Sequence, residues 1–154
     1  MQFYTILSIT ALLSAVSAAP LEVRQSGYLP SGPELRYCAN PFNTVACYKA
    51  RGHANEASKA AAANFPANTL HNGKGDAFRH CYWNARMAID IGVTKAKEIA
   101  TRHEDGSTGP QREKTMDLAN NETGRGVGVR TKTYGNALNE CRNKARNGGL
   151  VVIG

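Results

Sequence analysis

The sequence predicts a mainly α fold: one compact helical domain of about five or six helices, little strand and two disulfides. Three observations predict it. Apolar residues recur at spacings of three and four in successive segments, whereas alternation with period two is confined to a few residues near Val127 and Val129. Those segments stop at Gly or Pro, as at Pro66, Gly92 and Gly148-Gly149. The third observation is an even set of four cysteines, Cys38, Cys47, Cys81 and Cys141, in a chain that begins like a secreted one.

Residues 1–18 read as a secretory signal. They carry no charged side chain, hold an apolar run from Ile6 to Val16 and close on the small-residue pattern Val16-Ser17-Ala18. The run is too short to cross a bilayer, so an extracellular protein is expected. Residues 19–43 are rich in Pro and Gly and are expected to form an irregular N-terminal arm pinned by Cys38, with Arg24 as a processing point that would release 19–24. Residues 44–154 are then the helical catalytic domain. Of the three ways to pair four cysteines, Cys38 with Cys47 and Cys81 with Cys141 is favoured, one closing a short loop and the other joining helices distant in sequence. A thiolate zinc site is set aside, because no Cys-x-x-Cys occurs and the expected compartment is oxidising.

Within the domain, 44–51 predicts a short helix and 55–64 an alanine-rich one ended by Pro66, with His53 between them as a surface residue. The segment 77–91 predicts the central helix, with Asp76 as N-cap and Gly92 as stop. Its stripe Phe78, Cys81, Tyr82, Ala85, Ala88 and Ile89 faces the core, and a second stripe, Asp76, His80, Asn84 and Met87, lies beside it. Further helices are predicted over 94–102, over 113–123 with Gly124 as stop, and over 136–146. Val127 and Val129 suggest a loop or short strand, and 150–153 a terminal strand or an arm tucked against the core.

The candidate chemistry concentrates in three places: 71–84, the triplet His103-Glu104-Asp105, and 117–121. Glu104 sits at a helix C-terminus, where the dipole disfavours an anion and so favours a raised carboxylate pKa. Asp117, Asn120 and Asn121 share one helix face, and Asn121-Glu122-Thr123 is also a glycosylation sequon whose glycan would crowd a neighbouring cleft. The formal charge of +7 and the isoelectric point near 9.4 predict attraction to a polyanion.

Two blocks, Gly75-Asp-Ala-Phe-Arg-His-Cys-Tyr-Trp-Asn-Ala85 with the later His103-Glu104, and Met116-Asp-Leu-Ala-Asn-Asn-Glu-Thr-Gly-Arg125, resemble a family of small domains found in secreted fungal proteins and in bacterial surface or toxin-like proteins. That family is largely uncharacterised, so the resemblance implies no activity. The basic, two-disulfide format and Ala137-Leu-Asn-Glu-Cys-Arg-Asn143 are similar to small fungal muramidases, a resemblance that implies cleavage of peptidoglycan. No catalytic residue of the muramidases maps onto this chain position by position.

From the residues, the first expectation is a glycan hydrolase acting on bacterial cell wall without a cofactor. Glu104 is the expected acid, Asp117 or Asp76 its partner, and His80 and His103 orient them, while Arg79, Tyr82, Trp83, Asn84, Asn120 and Asn121 hold substrate. The alternative is a phosphodiesterase, a nuclease or a phospholipase, in which Asp76, His80, His103, Glu104 and Asp117 bind a divalent metal. No His-Glu-x-x-His motif supports it. The third is a cationic antimicrobial or effector protein that binds without catalysis. The expected partner is an anionic polymer, with peptidoglycan preferred to nucleic acid or phospholipid, and the protein is expected to be a monomer.

Overall fold

The computed structural model describes residues 28–154. The signal reading of 1–18 and the processing reading at Arg24 lie outside the described residues. Six α-helices follow one another: α1 Gly32–Cys38, α2 Pro41–Asn64, α3 Lys74–Ile91, α4 Val93–Asp105, α5 Gln111–Thr131 and α6 Tyr134–Arg146, with one 3₁₀ turn, Ala67–Thr69, before α3. Among the described residues there is no strand. The expected mainly α domain with two bridges is what forms, and both disulfides, Cys38–Cys47 and Cys81–Cys141, pair as the spacing suggested.

Several boundaries differ from expectation, each for a local reason. Part of the arm is helical: Ser31 caps α1, its hydroxyl accepting from Glu34 N–H while the Glu34 carboxylate accepts from Ser31 N–H, a reciprocal box with Pro33 in the first turn. α2 is continuous through Gly52 rather than broken there. Gly52 faces open space, and its helix penalty of about 1 kcal/mol is offset by the buried run Ala50, His53, Ala54, Ala57 and Ala61. His53 is therefore not a surface residue; its Nε2 lies 2.9 Å from Asp90, and Arg86 donates to its Nδ1.

Gly73, not Asp76, is the N-cap of α3. Asp76 sits one turn in and reaches back to accept from Asn72 N–H at 2.7 Å.

The largest departure is α5, which runs past Gly124 and through Val127 and Val129 instead of stopping or turning to strand. The glycines there are contact surfaces. A Cβ on Gly124 would collide with the Cys81 carbonyl, and one on Gly128 would come within 2.5 Å of the Ala85 carbonyl. Glycine at this spacing lets α5 lie backbone to backbone against α3, the helix in which Phe78, Cys81, Trp83, Ala85 and Met87 are fully or almost fully buried. The contacts advance in the same direction along both helices, so α3 and α5 run parallel. Segment 150–153 is the arm of the two alternatives. Val151 exchanges both backbone hydrogen bonds with the Asn120 amide, and Ile153 and Gly154 donate to the Asn72 carbonyl.

Candidate functional site

Parallel packing of α3 on α5 sets two rows of polar side chains face to face. Asp76, His80 and Asn84 recur every four residues on α3, and Asp117, Asn121 and Arg125 every four on α5. The rows interlock. His80 Nε2 stands 3.2 Å from Asp117 Oδ1, His80 Nδ1 lies 3.2 Å from Asn121 Oδ1, Asn84 donates to Asn121 Oδ1 at 2.6 Å, and Arg125 donates to Asn84 Oδ1 at 3.1 Å. From α4, Glu104 closes the rear: its Oε1 accepts from Asn121 Nδ2 at 3.1 Å and lies 3.6 Å from His80 Nδ1.

This network assigns the His80 tautomer. Asn121 must present its oxygen to Asn84 and its nitrogen to Glu104, so His80 Nδ1 carries the proton and donates to Asn121. The Nε2 lone pair then points at the group formed by Arg79, Asp76 and Asp117. Arg79 Nη2 is 2.6 Å from that nitrogen and 2.6 Å from Asp76 Oδ1. Burial, reinforced by the Arg79 charge, drives the His80 pKa down to about 3, so the ring is neutral.

The two aspartates are pushed apart. For Asp76, burial favours the neutral acid, but the Arg79 charge and the Asn72 N–H outweigh it and hold the carboxyl below its ordinary value. For Asp117, burial and the charges of Glu104 and Asp76 raise the pKa to about 8, against a smaller opposing pull from Arg79. Its Oδ1 is buried without a hydrogen-bond partner. Glu104 is also raised, chiefly by burial. Asp76, His80 and Asp117 each offer a ligand atom within 4.8 Å of the others. Asp117, Arg79 and Arg125 reach solvent, the first two with side chains 16% and 33% exposed; His80 is 2% exposed.

A family model described as a domain of unknown function (DUF6973) matches residues 37–148. The chain belongs to the DUF6973 family. The matched span holds α2 to α6 and every member of the two polar rows, and leaves outside it Tyr28, Glu34 and the arm at 151–154. No solved structure matches the chain.

Not every expected residue of the DUF6973 domain lies at the cluster. His103 turns the other way: its Nδ1 meets Glu34 at 3.1 Å, its ring stacks on Tyr28, and the Tyr28 hydroxyl donates to Glu34. Tyr82 and Trp83 are core residues, the Trp83 indole donating to the Ala50 carbonyl at 3.0 Å, so neither offers a face to substrate. Asn84, Asn120 and Asn121 have no exposed surface: the first and last build the cluster, and Asn120 holds the C-terminal arm. The Asn121 sequon is closed to a glycan in the folded protein for the same reason. Asp105 pairs with Lys114 at 2.7 Å, away from the cluster.

The sequence reading passed over Arg125 and Asn72. Arg125 follows Asp117 and Asn121 at the same four-residue step, a signal that was present in the chain. Asn72 gave none: it adopts a left-handed backbone (φ 61°), holds Asp76 through its N–H and accepts from the arm through its carbonyl.

Proposed function

We propose that this protein is a secreted hydrolase of bacterial cell-wall glycan that works by carboxylate acid and base catalysis, with Asp117 rather than Glu104 as the acid. The observation that carries the reading is that Arg79 pairs with Asp76 while Asp117 beside it holds a buried, unpartnered oxygen, an arrangement that drives the two carboxyls to opposite protonation states. Environments that separate two carboxyl pKa values in one site supply an acid and an anion together. Asp117 is the accessible carboxyl of the pair: it gives its proton to the leaving oxygen as the glycosidic C–O bond breaks, and the resulting carboxylate takes a proton from the water that then adds to the ring carbon, which restores the acid. The ionised Asp76 and the neutral but electron-rich His80 stabilise the positive charge that grows on the sugar ring. Glu104, buried behind the imidazole, orients His80 through Asn121.

The spacing supports this assignment. Oxygens of Asp76 and Asp117 lie within 4.8 Å of each other, too close for an inverting pair separated by a water. The formal charge of +7 would concentrate the protein on an anionic wall polymer.

One observation favours a second reading, a metal-dependent phosphodiesterase. The clustered Asp76, His80 and Asp117, with Nδ1 of His80 already committed to Asn121, present a lone pair and two carboxylates to one point, as a divalent ion requires. Arg79 weighs against it, because its guanidinium already places a cation within 2.6 Å of two of the three ligands.

Incubation with purified peptidoglycan, RNA, DNA and phospholipid, each with and without chelator, separates the two. Chelator-resistant loss of peptidoglycan turbidity that disappears in Asp117→Asn supports the first. Phosphodiester cleavage abolished by chelator overturns it in favour of the second.

A further inference from the structure

Away from the polar rows, α1 and the first turns of α2 expose apolar side chains that no packing explains. Phe42 is 91% exposed, Tyr48 80% and Val45 68%, joined by Leu29 at 80% and Leu35 at 55%. On α2, with about 100° per residue, Phe42, Val45 and Tyr48 fall on the arc opposite the buried Asn43, Ala50, Ala54 and Ala57. A solvent-facing helix surface normally carries charged or polar residues there. The Cys38–Cys47 bridge clamps α1 to this helix, so Leu35 of α1 and Tyr48 of α2 meet in one cleft while Phe42 and Val45 extend the exposed apolar surface around α2.

The cleft, of about 240 Å³, is lined by Tyr28, Pro30, Leu35, Tyr48 and the disulfide, with Arg51 among its walls. Arg36 and Arg51 have no carboxylate partner among the described residues. The carboxylates of this end of the molecule are engaged: Asp90 with Lys49 and His53, Glu34 with Tyr28 and His103, and Asp105 with Lys114.

We infer that the α1–α2 end of the molecule, with Leu35, Phe42, Val45 and Tyr48 exposed, Arg51 in its cleft and Arg36 on the adjoining α1–α4 groove, docks on an anionic lipid surface. The chemistry matches that partner on both counts. Exposed aliphatic and aromatic side chains enter the boundary between headgroups and acyl chains, and unpaired arginines meet the anionic headgroups above it. The cleft between Leu35 and Tyr48 is a place for the end of an acyl chain. No described helix is long and apolar enough to cross a membrane, so the attachment is peripheral. The face is made by elements other than the two polar rows, and the inference stands independently of the glycan reading.

The test is co-sedimentation of the full protein with vesicles of phosphatidylcholine alone and of phosphatidylcholine with one third phosphatidylglycerol. Binding is expected to the anionic vesicles, to weaken as salt shortens the Debye length from about 10 Å to about 3 Å, and to be poor on phosphatidylcholine alone. The triple variant Phe42→Ser, Val45→Ser, Tyr48→Ser removes only exposed side chains, so it should keep its helical content and melting temperature yet lose at least about tenfold in vesicle partitioning. Val129→Ser, an exposed apolar position on α5, should bind like the parent. Absence of binding to anionic vesicles, or unchanged binding by the triple variant, overturns the proposal. So does self-association that the triple variant abolishes without any vesicle binding by the parent, which would assign the face to a second copy of the chain.

Discussion

Asp117→Asn tests the electrostatics of the cluster without needing a substrate. In the native protein Asp117 keeps its proton up to about pH 8, whereas unfolded Asp loses it near 3.8. Over that window the native state binds more protons, so stability falls as pH rises. His80 acts in the opposite sense. Its native pKa near 3 lies below the unfolded 6.5, so the unfolded state binds more protons there and stability rises with pH.

Between about pH 4 and 6.5 the two slopes oppose each other; above 6.5 only that of Asp117 remains. One proton over about 1.5 pH units, at about 1.4 kcal/mol per unit, removes about 2 kcal/mol of stability between pH 6.5 and 8. Partial hydration of the side chain trims this toward about 1 kcal/mol. Urea denaturation across pH 5 to 9 should therefore show a decline above pH 6.5 that Asp117→Asn largely abolishes, with a gain over the parent at pH 8. Parallel stability curves for parent and variant would refute the raised pKa and, with it, the choice of Asp117 as acid.

Three further outcomes follow from the same geometry. With a cleaved substrate in hand, Asp117→Asn should lower turnover about 100- to 10,000-fold, and parent activity should fall as pH rises through about 8, whereas Asp105→Asn should leave both unchanged. Gly124→Ala should destabilise by about 3 kcal/mol or more, because its Cβ meets the Cys81 carbonyl backbone, while Gly126→Ala, whose nearest neighbour is the flexible end of Arg130 at 3.4 Å, should stabilise by up to about 1 kcal/mol; thermal unfolding of the pair reads the contrast. Removing Cys81–Cys141, a bridge over 60 residues, should cost about 4 kcal/mol and removing Cys38–Cys47, over 9 residues, about 2.5 kcal/mol by loop entropy, measured by denaturation of the paired alanine variants.

What was legible in the chain was whatever depends on neighbours close in sequence. The repeat of Asp76, His80 and Asn84 and the face holding Asp117 and Asn121 could be read because one helix turn fixes them. The bridges could be read because they are few. What stayed hidden depends on what lies across a contact. Gly124 reads as a helix stop until the Cys81 carbonyl is seen against it. His103 reads as a partner of Glu104, yet its hydrogen bond goes to Glu34, 69 residues away. Trp83 looks like a sugar platform in a polar segment, but it lies on the inner side of α3 beside Tyr82, which the apolar stripe already turned to the core. The arm concealed α1 because its Pro and Gly suit an N-cap and first turn as well as they suit a loop.

The glycine seam between α3 and α5 also decides where the molecule can bend. With backbone against backbone at Gly124 and Gly128, and with Cys81 tied to α6 by its disulfide, these three helices have no side-chain cushion through which to slide. α4 is held differently. It enters through Gly92 (φ 83°) and leaves at Gly106, and its contact surface is Ala96, Ile99 and Ala100. Its link to the cluster is the single carboxylate of Glu104 on Asn121 and His80. α4 is tied to α1 as well, where Ser31 Oγ donates to the Arg102 carbonyl at 2.6 Å and the Tyr37 hydroxyl donates to Glu98, so the backing of the imidazole is set by side-chain contacts and not by a backbone seam. A displacement of α4 would change what backs the imidazole, and with it the basicity of His80, without moving the α3–α5 seam that spaces Asp76, His80 and Asp117.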